Sequence, residues 1–207
     1  MINRFLFGTG NPEKTARIKA LVRDLPVTVV TPAELGISLD VEEDGTTPCE
    51  NAVKKALSYL KAGGLPTLSM DGGLYIDSLP PHLQPGIHVR AQAGAHATDD
   101  DIFHYYREVL RRHGEQSTGR WVVAAAFAQP GGRLTTREFI DETLFTCVPS
   151  PIRKPAAPLS SLQIDLDLGK YRSEISDDER ATLDARFDAE LAEFLRIVLM
   201  DSPGHLA

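Results

Sequence analysis

Two strand-like apolar runs, residues 121–128 and 134–148, flank Gln129-Pro130-Gly131-Gly132-Arg133. Glycine and proline in so short a connection signal a β-hairpin. A hairpin of that length does not fit an all-parallel sheet, in which every connection is a crossover. The rest of the chain alternates short apolar runs with helical patterns, so the expected class is α/β with a mixed sheet.

The N-terminal third sets the order of that alternation. Residues 4–8 read as a short buried strand and Thr9-Gly10-Asn11-Pro12 as a turn. Asn11 suits an N-cap and Pro12 a first helical position. The apolar face of Ala16, Ile18, Leu21, Val22 and Leu25 predicts a helix to about Leu25, ended by Pro26, with a second strand over 27–30. An acidic loop spans 40–47. Thr47, Pro48 and Glu50 form a capping-box pattern before a helix closed by Gly63-Gly64. Residues 67–70 read as a strand running into Asp71-Gly72-Gly73, and 80–98 as a long loop. Thr98 with Asp101 opens another helix, and Ser176 with Glu179 the last one. Its core stripe is Leu183, Phe187, Leu191, Phe194, Leu195 and Val198. One domain over 1–200 with a frayed tail at 201–207 is the expectation for a chain of 207 residues.

Composition removes several functional classes. No apolar run approaches the length of a membrane span, and the N-terminal apolar stretch is too short for a signal peptide. Two cysteines make no disulfide framework and no cysteine-rich zinc site. A net charge of −7 argues against a nucleic acid polymer as partner. A cytoplasmic protein is expected. The histidines lack metal-ligand spacing, and no Gly-x-Ser-x-Gly elbow is present.

Three segments carry chemistry. The strand–turn–helix at Thr9-Gly10-Asn11-Pro12-Glu13-Lys14 would aim backbone N–H groups and a helix dipole at one anion, with the Lys14 ammonium beside them. Glu42, Glu43 and Asp44 offer hard oxygen ligands of the kind Mg²⁺ takes beside phosphate. Asp71 ends an apolar strand before two glycines that allow a ligand to approach closely. Each also has a plain structural reading: an ordinary turn, a solvated acidic loop, an aspartate in a tight turn.

Taken in order, these segments resemble the inosine/xanthosine triphosphate pyrophosphatases, the Ham1-like family. The family's Thr-Gly-Asn-x-x-Lys corresponds to Thr9 through Lys14. Its Glu-Glu-x-Gly-x-Thr-x-x-Glu-Asn-Ala corresponds to Glu42 through Ala52, followed by Lys55. Its Asp-Asp-Ser-Gly-Leu corresponds to Met70 through Leu74, its Pro-Gly loop to Pro85 through Arg90, and its late basic motifs to Glu179-Arg180 and Asp184-Ala185-Arg186. The resemblance implies an elongated, two-lobed, ITPase-like α/β domain with a long mixed central sheet flanked by helices, and a homodimer. It implies Mg²⁺-dependent hydrolysis of a nucleoside triphosphate to the monophosphate and pyrophosphate. Asp71 would be the catalytic base. Glu43, Asp71 and Glu42 would hold the metal. Thr9, Gly10, Asn11, Lys14, Lys55, Gly72, Arg90, Arg180 and Arg186 would bind substrate. The chain departs from the pattern at Met70, Gly72 and Ala185, and lacks the aromatic-rich segment the family uses around the base. A nucleotide-binding homologue that has lost turnover is the alternative reading.

Overall fold

A computed structural model describes residues 2–200. The tail 201–207, expected to fray, lies outside the described residues. The chain runs β1 (Arg4–Phe7), α1 (Pro12–Leu21), β2 (Thr28–Val30), α2 (Pro48–Gly63), β3 (Thr67–Ile76), α3 (Asp99–Arg112), β4 (Gln116–Ala128), β5 (Leu134–Thr146), β6 (Gln163–Asp165) and α4 (Asp177–Met200). The strands form one six-stranded sheet in the order β2-β1-β3-β4-β5-β6. β1 pairs in parallel with both β2 and β3, while β5 and β6 are antiparallel, so the sheet is mixed as the hairpin required.

The chain divides into two compact units. The first holds the residues up to Asp71, Val123–Phe139 and the residues from Leu183 on; the second holds Gly72–Val122 and Ile140–Thr182. In the first, Phe5, Phe7, Leu68, Phe127 and Phe139 pack with Leu191, Phe194, Leu195 and Val198 of α4, close to the stripe read from sequence. On the other face of the same strands lies a seam of small side chains, in which Ala52 and Ala56 of α2 meet Ala124, Ala126 and Ala128 of β4. Methyl groups let a helix approach a sheet more closely than leucines would. In the second unit, Leu74, Ile76, Phe145, Leu159 and Leu162 pack against Ile102, Phe103, Tyr106 and Leu110 of α3.

The caps explain where the helices begin. Asn11 Oδ1 accepts the N–H groups of Glu13 (2.8 Å) and Lys14 (3.2 Å). Thr98 and Asp101 close a full capping box, as do Ser176 and Glu179. At α2 the box is displaced. Thr47 Oγ1 accepts from Glu50 N, while the Glu50 carboxylate is held chiefly by the Thr46 N–H (2.6 Å) and Thr46 hydroxyl (2.9 Å). That contact with the Thr46 amide lowers the Glu50 pKa.

Four sequence expectations change. α1 stops at Leu21, where the chain leaves helical geometry at the C-cap Val22 and turns toward β2, four residues before Pro26. β4 begins at Gln116 rather than Trp121. Gly119 makes this possible, since a Cβ there would lie 2.7 Å from Tyr75 O. The 80–98 loop carries two short 3₁₀ turns, Pro81–Leu83 and Ala91–Ala93, and is fastened by Gln84, whose Nε2 donates to Ile76 O (2.7 Å) and Leu79 O (2.8 Å). Finally, Asp71-Gly72-Gly73 is no turn. It lies inside the continuous strand β3, which carries Leu68 and Met70 toward the aromatic core while Ser69 and Asp71 take the opposite parity.

The α4 cap carries a pH prediction. The Lys170 ammonium, then the Ser176 amide, hold the Glu179 carboxyl down to about 2 from 4.5. A depressed carboxyl contributes stability above its unfolded pKa and loses it as pH falls through the folded one. Wild-type melting temperature should therefore fall more than that of Glu179→Gln as pH drops from 4.5 toward 2, and the two curves should run parallel above that window. Melting curves across that range check this.

Candidate active site

A cavity of about 310 Å³ in the first unit gathers three segments read separately from the sequence. The β1–α1 turn contributes Gly8, Thr9, Gly10 and Lys14. The acidic loop contributes Asp40 and Glu43. α2 and β3 contribute Lys55, Tyr59, Met70 and Asp71. Its centre is a single ammonium group: Lys55 Nζ lies 3.1 Å from Asp71 Oδ1 and 3.2 Å from Glu43 Oε1. The Lys55 and Asp71 side chains are each 13% exposed, and Asp71 Oδ2 is buried without a hydrogen-bond partner.

The loop reaches this position because one face of α2 binds it. Asn51, Lys54 and Lys55 sit at helical spacing i, i+3, i+4. Asn51, fully buried, accepts the Gly45 N–H at 2.8 Å. Gly45 has no room for a side chain there, since a Cβ would lie 2.6 Å from Asn51 Oδ1. Lys54 takes Asp44 and, at 3.9 Å, Glu42, while Lys55 takes Glu43 between them. The alternation sends every second acid to a different lysine. The Lys54 ammonium also lowers the Asp44 pKa.

The β1–α1 turn is built differently from the expected anion cradle. Pro12 has no N–H, and Asn11 Oδ1 occupies those of Glu13 and Lys14. Thr9 Oγ1 accepts the Asn11 N–H at 3.2 Å. What the turn offers an anion is the Lys14 ammonium, which has no ion pair among the described residues, and the positive end of the helix. Gly8 allows the turn to pack. A Cβ there would lie 2.5 Å from both Ser69 Oγ and the Tyr59 ring.

The donor set is all oxygen, which suits a hard divalent cation such as Mg²⁺. No group of three His, Cys, Asp or Glu side chains has ligand geometry among the described residues. Two carboxylates with water or phosphate oxygens completing the shell is the usual pattern for Mg²⁺. The unpartnered Asp71 Oδ2 fits that use.

The structure brings together Thr9, Gly10, Lys14, Glu43, Lys55 and Asp71 in the first unit. Asn11 lies beside them as the helix cap. Glu42 does not join Asp71; it faces Lys54, and its side chain is 81% exposed. The extended loop dictates this, because residues one apart point opposite ways. Gly72, next in β3, is exposed and lines neither cavity. Arg186 lies on α4, exposed, outside both cavities.

Arg90 and Arg180 belong to the second unit, where they line a separate cavity of about 410 Å³. Both are hydrogen-bonded within that unit. Arg90 donates to Ala97 O (2.8 Å) and Asp99 (3.0 Å), which lowers the Asp99 pKa, and Arg180 donates to Arg172 O (3.1 Å). Trp121 Nε1 donates to Gln163 Oε1 at 2.9 Å in the same cavity.

Sequence reasoning missed Tyr59, Asp40 and Gly8 in the first cavity. Tyr59 was recoverable: it lies four residues after Lys55 on the same helix face.

A model of the Ham1 family matches residues 5–144. The chain belongs to the Ham1 family. The match covers every segment of the first cavity, from Gly8 to Asp71. Among curated relatives, this Ham1-family chain is similar to the dITP/XTP pyrophosphatase of Thermus thermophilus, 35% identical over 136 residues, 65% of this chain and 64% of that protein. It is also similar to the dITP/XTP pyrophosphatase of Yersinia pseudotuberculosis, 33% identical over 118 residues, 57% of this chain and 58% of that protein. The matched region thus spans about three fifths of these relatives' length. The solved Staphylococcus aureus Ham1 protein superposes with a TM-score of 0.80 at 20% identity, covering 94% of this chain and 98% of that one. The Mycobacterium abscessus nucleoside-triphosphatase / dITP/XTP pyrophosphatase gives 0.77 at 21% identity, covering 93% and 98%. These two likenesses bear on the fold, which is the Ham1 fold.

Proposed function

We propose that the protein hydrolyses a nucleoside triphosphate to the monophosphate and pyrophosphate, with Mg²⁺, at the cavity of the first unit. The observation that carries this is the Asp71–Lys55–Glu43 cluster beside the Lys14 turn: a buried carboxylate oxygen without a partner, next to ammonium groups, in an oxygen-lined cavity. The relatives named dITP/XTP pyrophosphatase support the reaction class and a deaminated purine as the base.

Each residue has a physical task. A triphosphate brings about four negative charges, and Lys14 and the α1 N-terminus attract it where Asn11 has already ordered the turn. Asp71 accepts the proton of the attacking water through the carboxylate oxygen that does not hold the metal. Holding water and phosphorus in line lowers the barrier without any covalent intermediate on the protein. Asp71 and Glu43 would hold a bound Mg²⁺, which supplies charge neutralisation on phosphate oxygens and a more acidic water. Met70, packed against the aromatic core, contributes no ligand for a hard cation.

The test is a product assay with purified protein, Mg²⁺ and canonical and deaminated nucleoside triphosphates. Monophosphate and pyrophosphate in equal amounts are expected, fastest with dITP or XTP. Release of inorganic phosphate instead would contradict the bond assignment. Nucleotide binding without turnover would favour the non-catalytic homologue. A homodimer in the cytoplasm belongs to the same proposal, and light scattering in solution checks the dimer.

A further inference from the structure

Lys55 occupies the point where two carboxylates of the cavity converge. Its ammonium bridges Asp71 Oδ1 and Glu43 Oε1, yet Asp71 Oδ2 stays buried and unpartnered. The bridge therefore joins the two carboxylates while satisfying only part of their hydrogen-bonding capacity. A divalent cation competes for the same two groups, and the repulsion between it and an ammonium a few ångströms away is strong in a partly dehydrated cavity. Lys54, one residue earlier, is no such competitor: it faces Glu42 and Asp44. Lys14 has no acid partner among the described residues.

We infer that Lys55 is an exchangeable internal counter-ion: it pairs Asp71 with Glu43 until a divalent cation takes both carboxylates, and the displaced ammonium then binds a phosphate of the substrate. A lysine suits this exchange, since its charge sits at the end of a flexible stem that relocates without backbone movement. The exchange also removes a charge problem. While Lys55 is held by two carboxylates, its charge is mostly spent on them; once released, it adds to Lys14 just when the metal and triphosphate are present. This rests on the reading of the site as metal-dependent.

Two measurements test it. In the first, Mg²⁺ is titrated by calorimetry, without nucleotide, into wild type, Lys55→Gln and Lys54→Gln. Lys55→Gln should bind Mg²⁺ roughly tenfold tighter than wild type, because the competing ammonium is gone. Lys54→Gln, which removes the same charge one residue away, should change the affinity far less. In the second, wild-type protein is labelled with an amine-reactive reagent and read by mass spectrometry. Mg²⁺ should raise the labelling rate of Lys55 several-fold and leave that of Lys54 unchanged. Equal or weaker Mg²⁺ binding by Lys55→Gln, an equal gain at Lys54→Gln, or Lys55 labelling that Mg²⁺ leaves unchanged or slows would each overturn the exchange. Because the labelling uses wild type, the inference stays testable if Lys55→Gln does not fold. Pyrophosphate release by wild type with no Mg²⁺ response at Lys55 would sink the exchange alone. Absence of both Mg²⁺ binding and turnover would sink it together with the proposed function.

Discussion

Asp71→Asn is expected to slow pyrophosphate release by about a thousandfold, within the usual range for loss of a general base. The amide has the shape of the carboxylate but accepts no proton and binds Mg²⁺ poorly. Two further changes accompany it. Lys55 keeps a neutral amide oxygen in place of one of its two acid partners, and the buried unpartnered oxygen becomes an unpartnered amide NH₂. The substitution keeps the shape of the side chain and trades one unpartnered polar atom for another, so the melting temperature should move by only a few degrees. Steady-state pyrophosphate release alongside a melting curve separates the two. Undiminished turnover in Asp71→Asn would place the base elsewhere; a large fall in melting temperature would make the loss of activity uninformative.

Gly8→Ala should have the largest effect on stability of any single methyl added to the first unit's site. The new Cβ would lie 2.5 Å from Ser69 Oγ and from Tyr59 Cδ2, well inside contact distance. Tyr59 is 9% exposed and Ser69 fully buried, so neither withdraws freely. Overpacking of this kind costs about 1–3 kcal/mol, and each kcal/mol lowers the melting temperature by about 2–4 °C in a domain of this size. Urea unfolding measures the loss. If the clash is with the ring, the loss caused by Gly8→Ala should be smaller in a Tyr59→Ala background than in wild type. Wild-type stability in Gly8→Ala would mean that the turn relaxes, and Thr9 and Lys14 would be less firmly placed than the packing implies.

What the sequence made legible was whatever rests on local rules. Asn11-Pro12, Thr98 with Asp101, and Ser176 with Glu179 act within one helical turn, and all three cap as their spacing implies. The association of Asp71, Glu43 and Lys55 followed from motif order and appears as one cluster. The failures need partners distant in sequence. Asp71-Gly72-Gly73 has the propensity of a turn, but neighbouring strands hold it extended inside β3. β6 is three residues long, too short to leave a periodic signal. Glu42 and Glu43 look equivalent as letters; only the loop's extended backbone, docked on Asn51, Lys54 and Lys55, distinguishes them. The resemblance places arginines at 90 and 180, but their bonds to Asp99 and to the Arg172 carbonyl are tertiary and leave no local signal.

The alanine seam under α2 has a practical consequence for redesign. Ala52 and Ala56 touch no part of the cavity, yet the closeness they allow fixes how far Lys55 stands from Asp71. A library that enlarged these residues would move the helix as a rigid rod and retune every contact at once, with no route to improving one of them. Variation confined to residues 40–42, short of Glu43 and Gly45, could instead alter what the cavity accepts while the lysine and the aspartate keep their spacing.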